Sequence, residues 1–156
     1  MPKKSQAFSP ELPCACANLR RAARAATRMY NRELRSSGLE LTQFTLLMAL
    51  DLTGETTQKA LGRVLAMDST TLTRTLSFLV ERGWIGTNPG QDRREKLLIL
   101  APAGRRKLQQ ARPNWARAQK KLRTSLGEET WRQMGQLLSN ITTAAEQVSF
   151  FLFASQ

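Results

Sequence analysis

Within nine residues, Ser69, Thr70, Thr71, Thr73, Arg74 and Ser77 bring short hydroxyls and one guanidinium together. Leu72, Leu76, Leu79 and Val80 recur between them at helical spacing, so the polar set occupies the opposite face of one helix. Short hydroxyls let a helix approach base edges and phosphates closely, and a guanidinium can give two parallel hydrogen bonds to the O6 and N7 acceptors of guanine. A second set, Arg93 and Arg94, lies just past the turn residues Asn88-Pro89-Gly90-Gln91. Guanidinium groups at a hairpin tip suit a narrow, electronegative minor groove. Asp92 beside them is expected to brace an arginine or the loop backbone. All of this chemistry is recognition.

The residues that make and break bonds are scarce. The chain of 156 residues has no histidine, which removes His-dependent triads, HExxH zinc sites and any imidazole base. Its only cysteines, Cys14 and Cys16, cannot close a tetrahedral zinc site by themselves. No GxxxxGK[ST] or GxGxxG segment occurs. The expectation is therefore no enzyme, no cofactor and no metal. Cys16 is a redox candidate, because a position near a helix start favours thiolate chemistry. As two residues two apart on a helix, Cys14 and Cys16 are expected to point to different faces.

Twenty-four Lys and Arg stand against twelve Asp and Glu, a net charge of +12. Such a field concentrates polyanions, of which nucleic acid is the commonest in a cytoplasm. Twelve of the basic residues fall between Arg82 and Arg123, against Asp92 and Glu95, whereas residues 124–156 carry a net charge of −2. One stretch is expected to meet an anion and the C-terminal one is not. No apolar stretch approaches the ~20 residues of a membrane span, and no apolar segment follows Lys3 and Lys4 as in a secretion signal. A soluble, cytoplasmic protein is expected, with no membrane partner.

The elements that must position these residues can be read from periodicity and breakers. Residues 1–12, with Pro2 and Pro10, read as a flexible arm. A first helix covers about residues 14–35 and ends at Gly38. A second runs from a Thr42 cap to about Leu52, and a third starts at a Thr57 cap, with Leu61, Val64 and Leu65 inward. After a turn at Ala66-Met67, Asp68 or Ser69 caps the fourth helix, which carries the hydroxyl face and stops at Gly83. Residues 84–87 and 96–100 read as two strands of a hairpin wing. Pro102 starts a fifth helix reaching about Leu126, in which Pro113 should cause a kink or break. A sixth runs from about Glu128 to Phe153.

The expected fold is thus mainly α with a small β-hairpin wing: a winged helix-turn-helix over residues 37–101, with long dimerisation helices at 13–36 and 102–156. In such an arrangement the fourth helix enters the major groove of duplex DNA. Phe150, Phe151, Leu152 and Phe153 would leave a large apolar patch on a monomer, which favours a homodimer. The alternative is a non-specific architectural DNA-binding protein or an RNA-binding basic protein.

The segments Leu65-Ala66-Met67-Asp68-Ser69-Thr70-Thr71-Leu72-Thr73-Arg74 and Asp92-Arg93-Arg94, the latter leading to Pro102-Ala103-Gly104, resemble the MarR (multiple antibiotic resistance regulator) family. The resemblance covers about residues 12–153 and departs at Ala101, where the family usually has Thr. It implies a homodimeric transcriptional regulator, most often a repressor, joined through its first, fifth and sixth helices on a palindromic operator. It also implies release by a small aromatic or lipophilic anion, for which Arg28, Tyr30 and Trp115 are the candidate contacts. Cys16 and Tyr30 resemble the sensing cysteine and a tyrosine partner of the organic-hydroperoxide-sensing branch, while Leu41 and Arg20 depart from that pattern.

Overall fold

The computed structural model describes residues 13–90 and 96–154, with side chains up to residue 148. The wing-tip residues Asp92, Arg93 and Arg94 lie outside the described residues, as do the arm at 1–12 and the side chains of Phe150, Phe151, Leu152 and Phe153. The chain divides into two compact units, Met1–Trp115 and Ala116–Gln156.

In the first unit, α1 (Ala15–Leu34) passes through a 3₁₀ turn at Arg35–Ser37 into Gly38 at φ +68°, the left-handed stop that a glycine accepts without strain. Cys14 is the residue before α1 and has extended backbone (φ −133°, ψ 111°). Cys14 and Cys16 therefore do not share a helix, which corrects the premise on which their side chains were expected to diverge.

Helix α2 (Leu41–Thr53) is apolar nearly all round, and Phe44, Leu46, Leu47, Ala49 and Leu50 are buried. A helix of that kind belongs at the centre of a core, and the buried cluster gathers about it, with Leu34, Leu61, Leu72, Leu79 and Leu108 among its members. The cap of α2 is Glu40 and not Thr42. Glu40 and Gln43 satisfy each other's backbone N–H groups reciprocally, which holds the first turn at both ends. The Leu41 N–H also donates to Asn31 Oδ1 at 2.6 Å, tying the start of α2 to α1.

Helices α3 (Gln58–Leu65) and α4 (Ser69–Glu81) follow, then strands β2 (Ile85–Pro89) and β3 (Lys96–Leu100). Strand β1 (Thr56–Thr57), just before α3, pairs antiparallel with β3, making a three-stranded sheet of order β1-β3-β2. In the hairpin, Ile85 faces Leu100 and Pro89 faces Lys96. The first strand runs two residues further than its sequence suggests, and Pro89 is tolerated because β2 is an edge. Val64 and Val80, expected inward, are exposed. The stripes of α3 and α4 are narrower than periodicity implied, carried by Leu61 in one and by Leu72, Leu76 and Leu79 in the other.

Helix α5 (Pro102–Leu126) runs without a break through Pro113, so of the kink or break expected there the break does not occur. A proline removes one helical N–H donor, and the neighbouring packing supplies other fixings. Asn114 is buried and donates to Ser36 Oγ at 2.9 Å, and Trp115 stacks on Phe44 with ring centroids 5.7 Å apart. Asp51 on α2 receives both Arg105 and Arg112, the latter at 2.9 Å. In the second unit, α6 (Glu128–Ala154) begins with Glu128 and Glu129 at its positive end, and Arg123 grips Glu128 bidentately.

Candidate nucleic-acid interface

The α3–turn–α4 unit is fixed by local chemistry at each joint. Thr57 Oγ1 caps α3 by accepting from the Ala60 N–H at 3.1 Å. Ala66 takes the left-handed conformation (φ +48°) that ends α3, and its N–H donates to the Arg63 carbonyl. Gly62 lets the helices approach, since a Cβ there would sit 3.1 Å from Leu72 Cδ2. Asp68 caps α4 by accepting from the Thr71 N–H at 2.8 Å.

That hydrogen bond from the Thr71 backbone N–H, with a further one from its side chain, holds the Asp68 carboxyl below its ordinary value of 3.8. A lowered folded pKa contributes stability that is present above the unfolded value and disappears as pH falls through the folded one. Hydrogen exchange at the Thr71 amide, corrected for its intrinsic rate, should therefore accelerate as pH is lowered from about 5 to below 3.8. Asp68→Asn keeps a capping oxygen without the titration, so its protection should not change over that range. Equal pH dependence in both proteins would remove Asp68 as the cause.

Leu72, Leu76 and Leu79 bury one side of α4, while Ser69, Thr70, Thr71, Thr73, Arg74 and Ser77 are all exposed on the other. Grooves run along both flanks of this ridge. One, of about 510 Å³, lies against the start of α2 and is bordered by Glu40, Thr42, Thr70, Thr71 and Arg74. The other, of about 580 Å³, lies against α3 and the wing strands and is bordered by Gln58, Lys59, Thr73, Ser77, Thr87 and Lys96. A third hollow of about 500 Å³ in the crook of α3 and α4 is bordered by Lys59, Arg63, Met67 and Ser69. The polar face thus splits into a Thr70–Thr71–Arg74 row and a Thr73–Ser77 row.

Sequence reasoning missed Gln58, Lys59, Arg63 and Lys96. The i, i+4 spacing of Lys59 and Arg63 was the available signal. It also credited the basic stretch after Arg82 too uniformly. Arg82 lies over the Phe78 ring at 4.8 Å and Lys107 over Trp84 at 5.1 Å. With Arg105, Arg112 and Arg123 in ion pairs, much of that charge holds the protein's own elements in place.

The effector and redox candidates differ in their surroundings. Arg28 is exposed and Tyr30 is buried, and its burial pushes the phenol up from its ordinary value. Trp115 is committed to Phe44. None of the three borders the grooves beside α4. Cys16 is exposed in the first turn of α1, and fourteen residues of helix separate it from Tyr30, about 21 Å along the axis. Within one protomer the two side chains do not meet. Among the described residues no His, Cys, Asp or Glu cluster could hold a metal ion, and no helix is long and apolar enough to cross a membrane.

A profile of the MarR family matches residues 37–95, from the end of the 3₁₀ turn into the wing. An uncharacterized HTH-type transcriptional regulator of Bacillus subtilis, YwoH, is 33% identical over 92 residues, spanning 59% of this chain and 67% of that protein. The structure of the M. tuberculosis transcriptional regulator MosR in complex with DNA superposes with a TM-score of 0.77 at 37% identity, covering 85% of this chain and 96% of that one. A probable transcriptional regulator from Pseudomonas aeruginosa gives 0.75 at 27% identity, covering 83% and 97%. Sequence and fold agree over nearly the whole length of solved regulators, and the chain belongs to the MarR family of winged-helix, DNA-binding transcriptional regulators.

Proposed function

We propose that the protein works as a homodimer on a palindromic duplex site and represses transcription by occupying it. The observation that carries this reading is the exposed ridge of α4, with a cation-bordered groove on each side. An exposed helix with a groove on each side suits the major groove, which admits an α-helix and where each base pair shows its own donor and acceptor pattern. Arg74 is the base reader, and Ser69, Thr70, Thr71, Thr73 and Ser77 make the close polar contacts. Arg93 and Arg94, with Asp92 bracing them, clamp the adjacent minor groove. Leu137, Leu138 and Val148 are exposed along α6, which supports its use as a dimer surface.

Release by oxidation at Cys16 is supported by that thiol's exposure. A small aromatic anion held by Arg28, Tyr30 and Trp115 has less support, because the last two are packing residues.

The test starts from duplexes enriched out of a random pool by the wild-type protein, and the complex should contain two chains. Arg74→Ala should cost about 1–3 kcal/mol on the enriched site, roughly 5- to 150-fold, and relax preference at particular positions. An organic hydroperoxide should free the DNA from wild type and leave Cys16→Ser bound. Equal loss on every sequence would remove Arg74 as a base reader. Preferential binding of single-stranded RNA would favour the RNA-binding alternative, and release of both proteins by peroxide would clear Cys16.

A further inference from the structure

The hydroxyls on the exposed face of α4 are not equivalent. Ser77 Oγ turns back to donate to the Thr73 carbonyl at 3.0 Å, and Thr75 Oγ1 does the same to Thr71 at 2.9 Å. Such bonds are satisfied within the helix and carry no information from the rest of the protein. Thr73 differs. Its Oγ1 accepts a 2.7 Å hydrogen bond from Gln58 Nε2, a side chain that arrives from α3, fifteen residues earlier in the chain.

Gln58 is well placed to impose an orientation. It is the first residue of α3, directly after the Thr57 cap, so its backbone is fixed by the capped turn and by the β1–β3 pairing of Thr57 with Leu97. It borders both the crook of α3 and α4 and the groove between α4 and the wing, and so stands on the divide between them. A hydroxyl has one proton and two lone-pair sites. Accepting from the Gln58 amide occupies a lone pair and leaves the Thr73 O–H free to donate. Its methyl group is then held in a fixed direction as well.

We propose that Gln58 is a specificity-determining positioning residue: it clamps Thr73 so that the hydroxyl is offered to DNA as a donor, in one direction. The proposal rests on α4 being the helix that reads DNA. Without the clamp the threonine rotates among its staggered positions and serves several base edges about equally. With it, bases that present an acceptor in the major groove are favoured at the position beneath Thr73.

The experiment uses the full chain and a random duplex pool, with base preference scored by position. Gln58→Ala should flatten preference at one position in each half-site by about 2- to 10-fold, the worth of a single hydrogen bond. Thr73→Val keeps the shape and removes the hydroxyl, and should flatten the same position. The double variant should lose no more than either single one, because the two side chains act as a unit. Gln58→Glu would accept the Thr73 proton and turn the lone pairs outward, so the preferred base at that position should change and not merely weaken. Gln58→Ala and Thr73→Val should melt like wild type and keep its salt dependence, since no phosphate contact is lost.

Unchanged preference in Gln58→Ala, or additive losses in the double variant, would overturn the clamp. So would a uniform loss with a shallower salt slope, which would make Gln58 a phosphate contact. A wild-type protein that enriches no sequence overturns the DNA-reading role itself, and is distinguished because it fails before any variant is made.

Discussion

Duplex binding should weaken by roughly 10³- to 10⁵-fold when salt is raised from 50 to 200 mM, the loss expected for six to ten neutralised phosphates. Among the described residues, four cations border the hollows around α4: Lys59, Arg63, Arg74 and Lys96. Arg74 is assigned to a base, which leaves Lys59, Arg63 and Lys96, or about six cations in the proposed dimer, and each phosphate neutralised releases condensed counterions worth about −0.9 in the slope of log K against log salt. The expected slope is therefore about −5. Glu40, bordering the groove at the start of α2, is the one acid lining these hollows among the described residues, and it should lower the slope if phosphate passes close to it. Titrating a labelled duplex at four or five salt concentrations decides the matter. A slope near −2 would mean that most of these cations point away from the backbone. A slope well beyond −10 would bring in α5 charges that the structure already pairs internally. Lys59→Ala and Arg63→Ala each remove two cations from a dimer, so each should make the slope shallower by about two while leaving the base preference intact.

Why the sequence disclosed some of this and hid the rest follows from the range of each interaction. The α4 ridge was legible because both its faces are written in one short segment: leucines on one side, hydroxyls and Arg74 on the other. Caps formed with near neighbours were legible too, as at Thr57 and Asp68. The Glu40 cap was not, because a glutamate rarely leads a helix and Thr42 looked the better capping residue. Strand β1 is two residues long and exists only by pairing with β3, some forty residues away in sequence. No local period can announce it. Charge misled for a similar reason. Counting arginines in a segment does not separate those without an acidic partner from those, such as Arg105 and Arg112, that meet Asp51 of α2 at the surface.

The base of the wing and the first turn of α5 meet at Gly104, and Gly104→Ala should be the most disruptive one-carbon change in the described chain. A Cβ at that position would lie 2.0 Å from the Trp84 carbonyl oxygen, 2.8 Å from its carbon and 2.9 Å from Leu100 Cδ1. Two of those three atoms are backbone, and the Trp84 carbonyl is already engaged by the Ala101 N–H at 3.0 Å. The Trp84 ring is held in turn, edge-on to Phe78 at 6.2 Å and beneath Lys107. Nothing flexible can give way, so the first turn of α5 must lift from the base of the wing. Overpacking of this kind costs about 1–3 kcal/mol and occasionally more. With backbone as the obstacle the upper part of that range is expected, a melting-temperature drop of roughly 5–10 °C for a chain of this size. Helix propensity predicts the opposite sign, since Gly→Ala inside a helix ordinarily gains about 0.5–1 kcal/mol. Gly135 on α6 supplies the contrast, because a Cβ there would meet nothing within 4 Å. Gly135→Ala should raise the melting temperature and Gly104→Ala should lower it. Because the lifted turn carries the start of β2 with it, Gly104→Ala should also weaken duplex binding at temperatures where the protein is still folded. A Gly104→Ala protein that melts at or above wild type would show that α5 and the wing can separate without cost, and that the wing is not held in register by this contact.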